Sequence, residues 1–135
     1  MILYIKTALQ EGRKSRCDRA HVGCVIVDND TDEIVSRGFN ETPKPLEPCD
    51  TGGHKLIDGH CVNTVHAERN AINHMSSWDG EYTLYVTHYP CVGCASLIAQ
   101  HTEIVKVVYL CDYKVDNDAV RLLSNLKEGA HRFEK

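Results

Sequence analysis

The sequence lacks a long hydrophobic run, and this absence argues against a membrane-spanning helix. Its longest apolar stretches are Val22–Val27 and Ile104–Leu110, and Lys106 interrupts the second one. A helix needs about 20 apolar residues to cross a bilayer. The N-terminal residues also lack the pattern of a secretory signal, so we predict a cytoplasmic protein.

An excess of positive charge is missing as well. Lys and Arg total 15 and Asp and Glu total 19, which gives a formal net charge of -4. No global basic field therefore draws the chain to RNA or DNA, although a small phosphorylated substrate needs only a local cluster of cations. No repeat or low-complexity tract is present, and the 135 residues fit one domain, predicted to span residues 1–135.

Cysteine and histidine, in contrast, are abundant, with seven and eight copies. An odd number of cysteines leaves one thiol over in any complete set of intrachain disulfides. Without an export signal, metal ligation is the better interpretation for some of them. Cys24 and Cys111 lie in or beside apolar strand-like runs, so we predict that both are small core residues.

The spacing of apolar and turn-forming residues predicts alternating helices and strands. Helices are expected at residues 2–14, 65–75, 91–100 and 116–126, and strands at 22–27, 33–37, 82–88 and 103–110, with a short edge strand at the end. This order predicts helices packed on both sides of a mixed sheet.

A long loop is predicted between residues 38 and 64. It holds three of the four prolines, four glycines and the side chains of Cys49, His54, His60 and Cys61. Because ordering such a loop costs conformational entropy, its presence in a compact domain indicates a functional or metal-pinned segment.

The sharpest signal is a pair of short segments, His66-Ala67-Glu68 and Pro90-Cys91-Val92-Gly93-Cys94. Proline before the CxxC pair predicts that both thiolates lie near a helix start, where the helix dipole lowers the thiol pKa. Two thiolates and one imidazole would fill three positions of tetrahedral zinc and leave the fourth for water, as in catalytic sites. We therefore predict that His66, Cys91 and Cys94 bind zinc.

Glu68 is the predicted catalytic residue. At the first turn of a helix, its side chain and that of His66 can reach the same site. A carboxylate there can carry protons from the attacking water to a ring nitrogen and a departing amine. CxxC alone also occurs in redox motifs and zinc knuckles, and HxE alone is weak. Together they match the signature of zinc nucleobase deaminases.

Beyond these segments, the sequence resembles the deoxycytidylate (dCMP) deaminase family of the cytidine deaminase-like superfamily. The resemblance is carried by Ser15-Arg16-Cys17, Val22–Val27, Gly38–Pro43, the loop from Cys49 to Cys61, Val65–Ile72 and Thr87–Cys94. It implies a three-layer α/β/α fold with a mixed sheet of about five strands. It also implies a catalytic Zn²⁺ and the conversion of dCMP to dUMP and ammonia, which supplies dUMP for thymidylate synthesis.

The same resemblance implies contacts for the substrate. Asn40 is expected to hold the deoxyribose, and the Ala67 backbone is expected to contact the pyrimidine edge. The contacts expected at the phosphate end or the base are Arg19, Thr42, Tyr113 and Lys114. A guanidinium group offers fixed donors to phosphate, which suits Arg19.

Regulation and assembly are further implications of the family. Its members are usually hexamers, and many are activated by dCTP and inhibited by dTTP with Mg²⁺. The effector contacts are expected at Gly38, Phe39 and Glu41. The family commonly has Gly-Tyr-Asn-Gly here, whereas Phe39 lacks the hydroxyl and Glu41 adds a charge in place of glycine. These two changes leave the effector response open.

A second, structural zinc is also implied. The matching ligands are Cys17, Cys49, His54 and Cys61, with His60 as the alternative fourth ligand. Four such ligands would close a tetrahedral site and pin the long loop. The alternative is a set of solvated thiols and imidazoles.

Three other functions are compatible with parts of this pattern. A tRNA or single-strand deaminase would share the zinc signature, but the acidic balance and the loop before His66 argue against it. A nucleoside cytidine deaminase usually has cysteine in place of His66. A zinc-stabilised binding module needs no proton carrier, so Glu68 argues against that function.

Overall fold

The computed structural model describes residues 2–15, 21–41, 56–57, 60–61, 65–112 and 115–134. The helices are α1 (Ile2–Gly12), α2 (Ala67–Asn73), α3 (Val92–Gln100) and α4 (Asn117–Ser124). The strands are β1 (Gly23–Asp28), β2 (Ile34–Phe39), β3 (Leu56–Ile57), β4 (His60–Cys61), β5 (Tyr82–His88), β6 (Ile104–Cys111) and β7 (Gly129–Arg132). None of the helices in these ranges has the length and apolarity needed to cross a membrane.

Five strands form one mixed sheet in the order β2-β1-β5-β6-β7. Strand β1 is antiparallel to both β2 and β5, whereas β5, β6 and β7 are parallel to one another. Helices α3 and α4 make the two crossovers between the parallel strands, as parallel pairing requires. The mixed sheet and its terminal edge strand, β7, confirm the predicted architecture.

The two faces of the sheet bury separate apolar clusters. Along β1, Cys24 and Ile26 point to the face covered by α2, α3 and α4, and Val25 and Val27 point to the face covered by α1. This alternation is the period of two of an extended strand. The larger cluster also contains Ala71, Leu84, Val86, Ile98, Val107 and Leu123. The expected three-layer α/β/α fold is therefore confirmed.

Two details differ from the predictions. Residues 38–64 were expected to be loop throughout, but β2 extends to Phe39 and β3 pairs with β4 in a short antiparallel hairpin. The prediction of a core position is correct for Cys24, which is fully buried, and wrong for Cys111, which is exposed. Cys111 is the last residue of β6, and burial already decreases along Tyr109 and Leu110 toward this end.

Candidate metal centre and active site

Three metal-ligating side chains converge where α2 and α3 begin. The Nδ1 atom of His66 lies 3.2 Å from the Sγ atom of Cys94 and 3.5 Å from that of Cys91. All three atoms lie within 4.8 Å of one another, and no other part of the described chain has such a group of three. In tetrahedral zinc sites, the ligand nitrogen and sulfur atoms lie about 3.5 Å apart. The donor set and its spacing therefore fit zinc.

The local backbone explains why these side chains face a common point. His66 and Cys91 are the residues just before α2 and α3, both have extended dihedral angles, and neither caps its helix with its side chain. Ser, Thr, Asp or Asn is usual at such positions, because these side chains bond to the first free backbone N–H groups. Here both side chains contribute instead to the three-residue group.

The two thiols differ strongly in acidity. A hydrogen bond from Cys94 lowers the pKa of Cys91 to about 3, with a further contribution from His66, whereas burial opposes the shift. The same hydrogen bond and burial raise the pKa of Cys94 well above the usual range of a thiol. Because zinc binds cysteine as the thiolate, metal binding at this pair would release the thiol protons that remain.

The imidazole completes this hydrogen-bonded group. A hydrogen bond with Cys91 raises the pKa of His66, while burial opposes the shift. The Nδ1 atom of His66 faces both sulfur atoms, so it is the ring nitrogen that could bind a metal together with them.

Glu68 is a buried carboxyl group beside this centre. Only 4% of its surface is exposed, and burial raises its pKa to about 7. Its own backbone N–H and the nearby His66 partly oppose that shift. Its oxygens do not belong to the three-donor group. Glu68 is thus held beside the three-donor group without belonging to it.

The segment that carries His66 is attached to the end of β2. The backbone N–H of Glu41 donates to the Val65 carbonyl at 3.0 Å, and the Val65 N–H donates to the Glu41 carbonyl at 2.7 Å. Gly38 allows close packing, since a Cβ atom there would lie 2.5 Å from the carbonyl oxygen of Ala67. The predicted effector positions Gly38 and Glu41 therefore have structural contacts with the segment that carries His66.

Asn40 and Ala67 are the predicted substrate contacts that the structure describes. Asn40 is buried, and its Oδ1 atom accepts a hydrogen bond of 3.0 Å from the Val22 N–H. This bond fixes the orientation of the side-chain amide. Ala67 is fully buried at the start of α2, and Phe39 is half-buried. Their roles in ligand binding stay predictions.

Several predicted site residues lie outside the described residues. These are Arg19, Thr42, Tyr113 and Lys114 of the expected substrate site and Cys17, Cys49 and His54 of the expected structural zinc site. For His60 and Cys61 only the backbone is described, and it pairs with Ile57 and Leu56. The second zinc site therefore stays a prediction.

Other contacts near the centre had no clear signal in the sequence. Thr87 accepts a hydrogen bond from the Gly23 N–H at 3.1 Å, and its hydroxyl lies 2.7 Å from Nδ1 of His88. Tyr89, just before the CxxC segment, packs edge-to-face on Tyr109 with ring centroids 4.7 Å apart. The Gly23–Thr87 and Tyr89–Tyr109 contacts join parts of the chain that are distant in sequence, so a pattern of residue types does not predict them.

The fold and this centre define a class: an α/β/α protein with a His-Cys-Cys zinc-type site and a buried glutamate beside it. Residues 2–111 match the family described as the cytidine and deoxycytidylate deaminase zinc-binding region. The chain belongs to this family, as the resemblance predicted.

Two curated proteins are similar in sequence to this chain. The chain is 33% identical over 138 aligned positions to the deoxycytidylate deaminase of Saccharomyces cerevisiae, covering 96% of this chain and 43% of that protein. It is 39% identical over 105 positions to ComE operon protein 2 of Bacillus subtilis, covering 75% of this chain and 53% of that protein. The chain therefore spans about half the length of these relatives.

A solved structure matches over nearly the whole chain. It is the dCMP deaminase from the cyanophage S-TIM5 in complex with dCMP and dUMP, with a TM-score of 0.81 and 32% identity. The match covers 98% of this chain and 95% of that chain. A tRNA:A34 deaminase structure has a TM-score of 0.63 at 18% identity, which shows a shared fold alone.

Proposed function

We propose that this chain catalyses the zinc-dependent hydrolytic deamination of dCMP to dUMP and ammonia. The observation that carries the proposal is the convergence of the His66, Cys91 and Cys94 donor atoms, with Glu68 buried beside them. The 32% identity to a deaminase structure containing dCMP and dUMP supports the choice of substrate.

His66, Cys91 and Cys94 hold the metal in this proposal, because one nitrogen and two sulfur donors suit zinc. When bound, zinc supplies a Lewis acid that lowers the pKa of water to about 7. Three protein ligands leave one coordination position for other groups, which distinguishes a catalytic from a structural site. Glu68 is assigned to proton transfer because it lies beside the ligands and outside their group.

The proposed proton transfers balance the reaction. Glu68 takes a proton from the attacking water while the water oxygen bonds to C4 of cytosine. Glu68 then delivers that proton to N3. It then transfers the second proton to the exocyclic amine, the C4–N bond breaks and ammonia leaves. C4 becomes a carbonyl carbon, so one water is consumed and dUMP is released. Burial keeps the Glu68 carboxyl away from bulk solvent during these steps.

Substrate selection is proposed to depend on residues around this centre. Asn40, fixed by its bond to Val22, holds the deoxyribose, and the Ala67 backbone contacts the pyrimidine. The proposed contacts to the phosphate end or the base are Arg19, Thr42, Tyr113 and Lys114. The dUMP product would serve thymidylate synthesis in the cytoplasm, and residues 1–135 would act as one domain.

Assembly, regulation and a second metal complete the proposal. We propose a hexamer that is activated by dCTP and inhibited by dTTP with Mg²⁺, through the segment containing Gly38, Phe39 and Glu41.

The second Zn²⁺ is proposed to be bound by Cys17, Cys49, His54 and Cys61, with His60 as the alternative ligand. Metal analysis of the wild type and of a Cys49→Ser variant tests this part; one zinc ion per wild-type chain would reject it.

A substrate panel tests the catalytic proposal. Zinc-loaded protein is incubated with dCMP, CMP, deoxycytidine, cytidine and dCTP, and ammonia and the uracil product are measured with and without a chelator. We expect the highest kcat/KM with dCMP and loss of activity on chelation. Stoichiometric zinc without ammonia from any of the five compounds would support a zinc-stabilised binding module instead. A higher kcat/KM with deoxycytidine or cytidine would show that the substrate is a nucleoside, while the deamination reaction of the proposal would still hold.

A further inference from the structure

Two side-chain hydrogen bonds join β2 to α2 on either side of Gly38, and we call this contact the β2–α2 seam. The Ser36 hydroxyl donates to the Ala71 carbonyl at 2.5 Å, and the Asn70 side-chain amide donates to the Phe39 carbonyl at 2.7 Å. Between them, a Cβ atom at Gly38 would lie 2.5 Å from the backbone nitrogen of Ala71. The strand and the helix are therefore in direct contact along the seam.

Asn70 links this seam to the metal-ligand segment. Its backbone N–H donates to the His66 carbonyl at 3.0 Å, while its side chain bonds to Phe39. Asn70 is 8% exposed, so water does not readily replace these bonds. Glu68 lies between His66 and Asn70 in the sequence. Asn70 therefore holds the turn that carries both a predicted metal ligand and the predicted proton carrier.

Helix α2 has only seven residues, from Ala67 to Asn73. Isolated helices shorter than about 12 residues are marginal in water, so tertiary contacts set the position of such a helix. Before α2, the pair of backbone hydrogen bonds between Glu41 and Val65 fixes the chain. In the first turn of α2, the Asn70–Phe39 hydrogen bond fixes the helix to β2. The His66–Glu68 segment lies between these two attachments.

We propose that Asn70 is a positioning residue, which holds Glu68 in its orientation toward the metal centre by joining the first turn of α2 to the Phe39 carbonyl. Asn70 acts through Glu68 and does not itself touch the reacting atoms. Small displacements of a catalytic group reduce the rate steeply, by roughly 100-fold for about 1 Å. The kinetic consequence of this inference rests on the proposed deaminase function.

Ser36 provides a matched control within the same seam. Ser36 is 6% exposed and also donates one side-chain hydrogen bond to a backbone carbonyl. Ser36→Ala and Asn70→Ala therefore each remove one side-chain hydrogen bond between β2 and α2. Only Asn70 also contacts the carbonyl of His66 through its backbone. A purely structural role for Asn70 would give the two variants similar behaviour.

Steady-state kinetics of the zinc-loaded variants with dCMP test the inference. We expect Asn70→Ala to lower kcat roughly 10- to 100-fold with a small change in KM and unchanged zinc content. We expect Ser36→Ala to keep kcat within about twofold, although both variants lower the Tm. Equal loss of kcat in the two variants, or a kcat near the wild-type value for Asn70→Ala, would overturn the proposal.

Amide hydrogen exchange gives a measurement that does not depend on the reaction. The backbone N–H at position 70, which bonds to the His66 carbonyl, should exchange about tenfold faster in Asn70→Ala than in the wild type or in Ser36→Ala. Unchanged protection at this amide would contradict the positioning role. If the wild type binds zinc but deaminates none of the panel compounds, the proposed function fails, and this exchange measurement still decides the role of Asn70.

Discussion

The Nδ1 atom of His66 lies 3.2 Å from the Sγ atom of Cys94, although the two residues are 28 positions apart in the sequence. His66 precedes α2 and Cys94 lies in the first turn of α3, so their contact joins two helices on the same face of the sheet. A metal ion bound by both residues would strengthen that connection, and its removal should weaken it.

Removal of zinc should therefore destabilise the fold as well as abolish activity. A ligand that binds only the folded state at about 1,000 times its Kd stabilises it by about 4 kcal/mol. We expect the Tm to fall after chelation and to recover when Zn²⁺ is added, as measured by calorimetry. Cys94→Ser should lower zinc content and the Tm together.

Cys111→Ser is the control for this measurement, because Cys111 is an exposed cysteine that does not belong to the three-donor group. It should leave the zinc content and the Tm unchanged. A Tm for Cys94→Ser that equals that of the wild type would show that this centre contributes no metal-dependent stability.

Glu68→Gln should separate metal binding from catalysis. The amide has nearly the same size as the carboxyl group but cannot accept and release the proton that deamination requires. Because Glu68 lies outside the three-donor group, we expect normal zinc content and a fall in kcat of about 100- to 10,000-fold. Ammonia release and metal analysis on the same sample check both parts.

Glu81→Gln is the matched control for that variant. Glu81 is exposed and pairs with Lys127 at 3.1 Å, and exposed ion pairs contribute little to stability. Its kcat should equal that of the wild type. Turnover by Glu68→Gln at the level of this control would rule out Glu68 as the proton carrier.

The features predicted from the sequence are those encoded by short segments. The candidate ligands His66, Cys91 and Cys94 belong to two short sequence motifs. The mixed sheet follows from apolar periodicity and turn residues. The contact between Asn70 and Phe39 was not predictable, because it depends on how closely β2 packs on α2. The exposure of Cys111 was mispredicted for a similar reason: an apolar run does not show where the covering layer ends.

The packing of α4 in the larger apolar cluster leads to a prediction for the free energy of unfolding. Leu123 of α4 is fully buried in the larger apolar cluster. Leu123→Ala should lower the free energy of unfolding by about 2–5 kcal/mol, because it removes buried methyl groups and leaves a cavity. Val120→Ala is the control, since Val120 on the same helix is 43% exposed and should change stability little. Urea denaturation of both variants measures the difference; equal effects would contradict the packing of α4.

Two glycines near the centre should respond in opposite ways to alanine. At Gly38 a new Cβ atom would lie 2.5 Å from the Ala67 carbonyl oxygen and the Ala71 nitrogen, so α2 must move away from β2. We expect Gly38→Ala to lower both the Tm and kcat, since this movement displaces the segment that carries His66 and Glu68. At Gly93 the nearest atom to a new Cβ is the Cys91 Sγ, at 3.9 Å, which is ordinary contact.

Because Gly93 lies within α3, where alanine is favoured over glycine by up to about 1 kcal/mol, Gly93→Ala should keep its zinc and match or exceed the wild-type Tm. Calorimetry, metal analysis and turnover of both variants compare the two positions directly. If Gly38→Ala were as stable and active as Gly93→Ala, the close packing of β2 on α2 would not be what fixes the position of the catalytic segment.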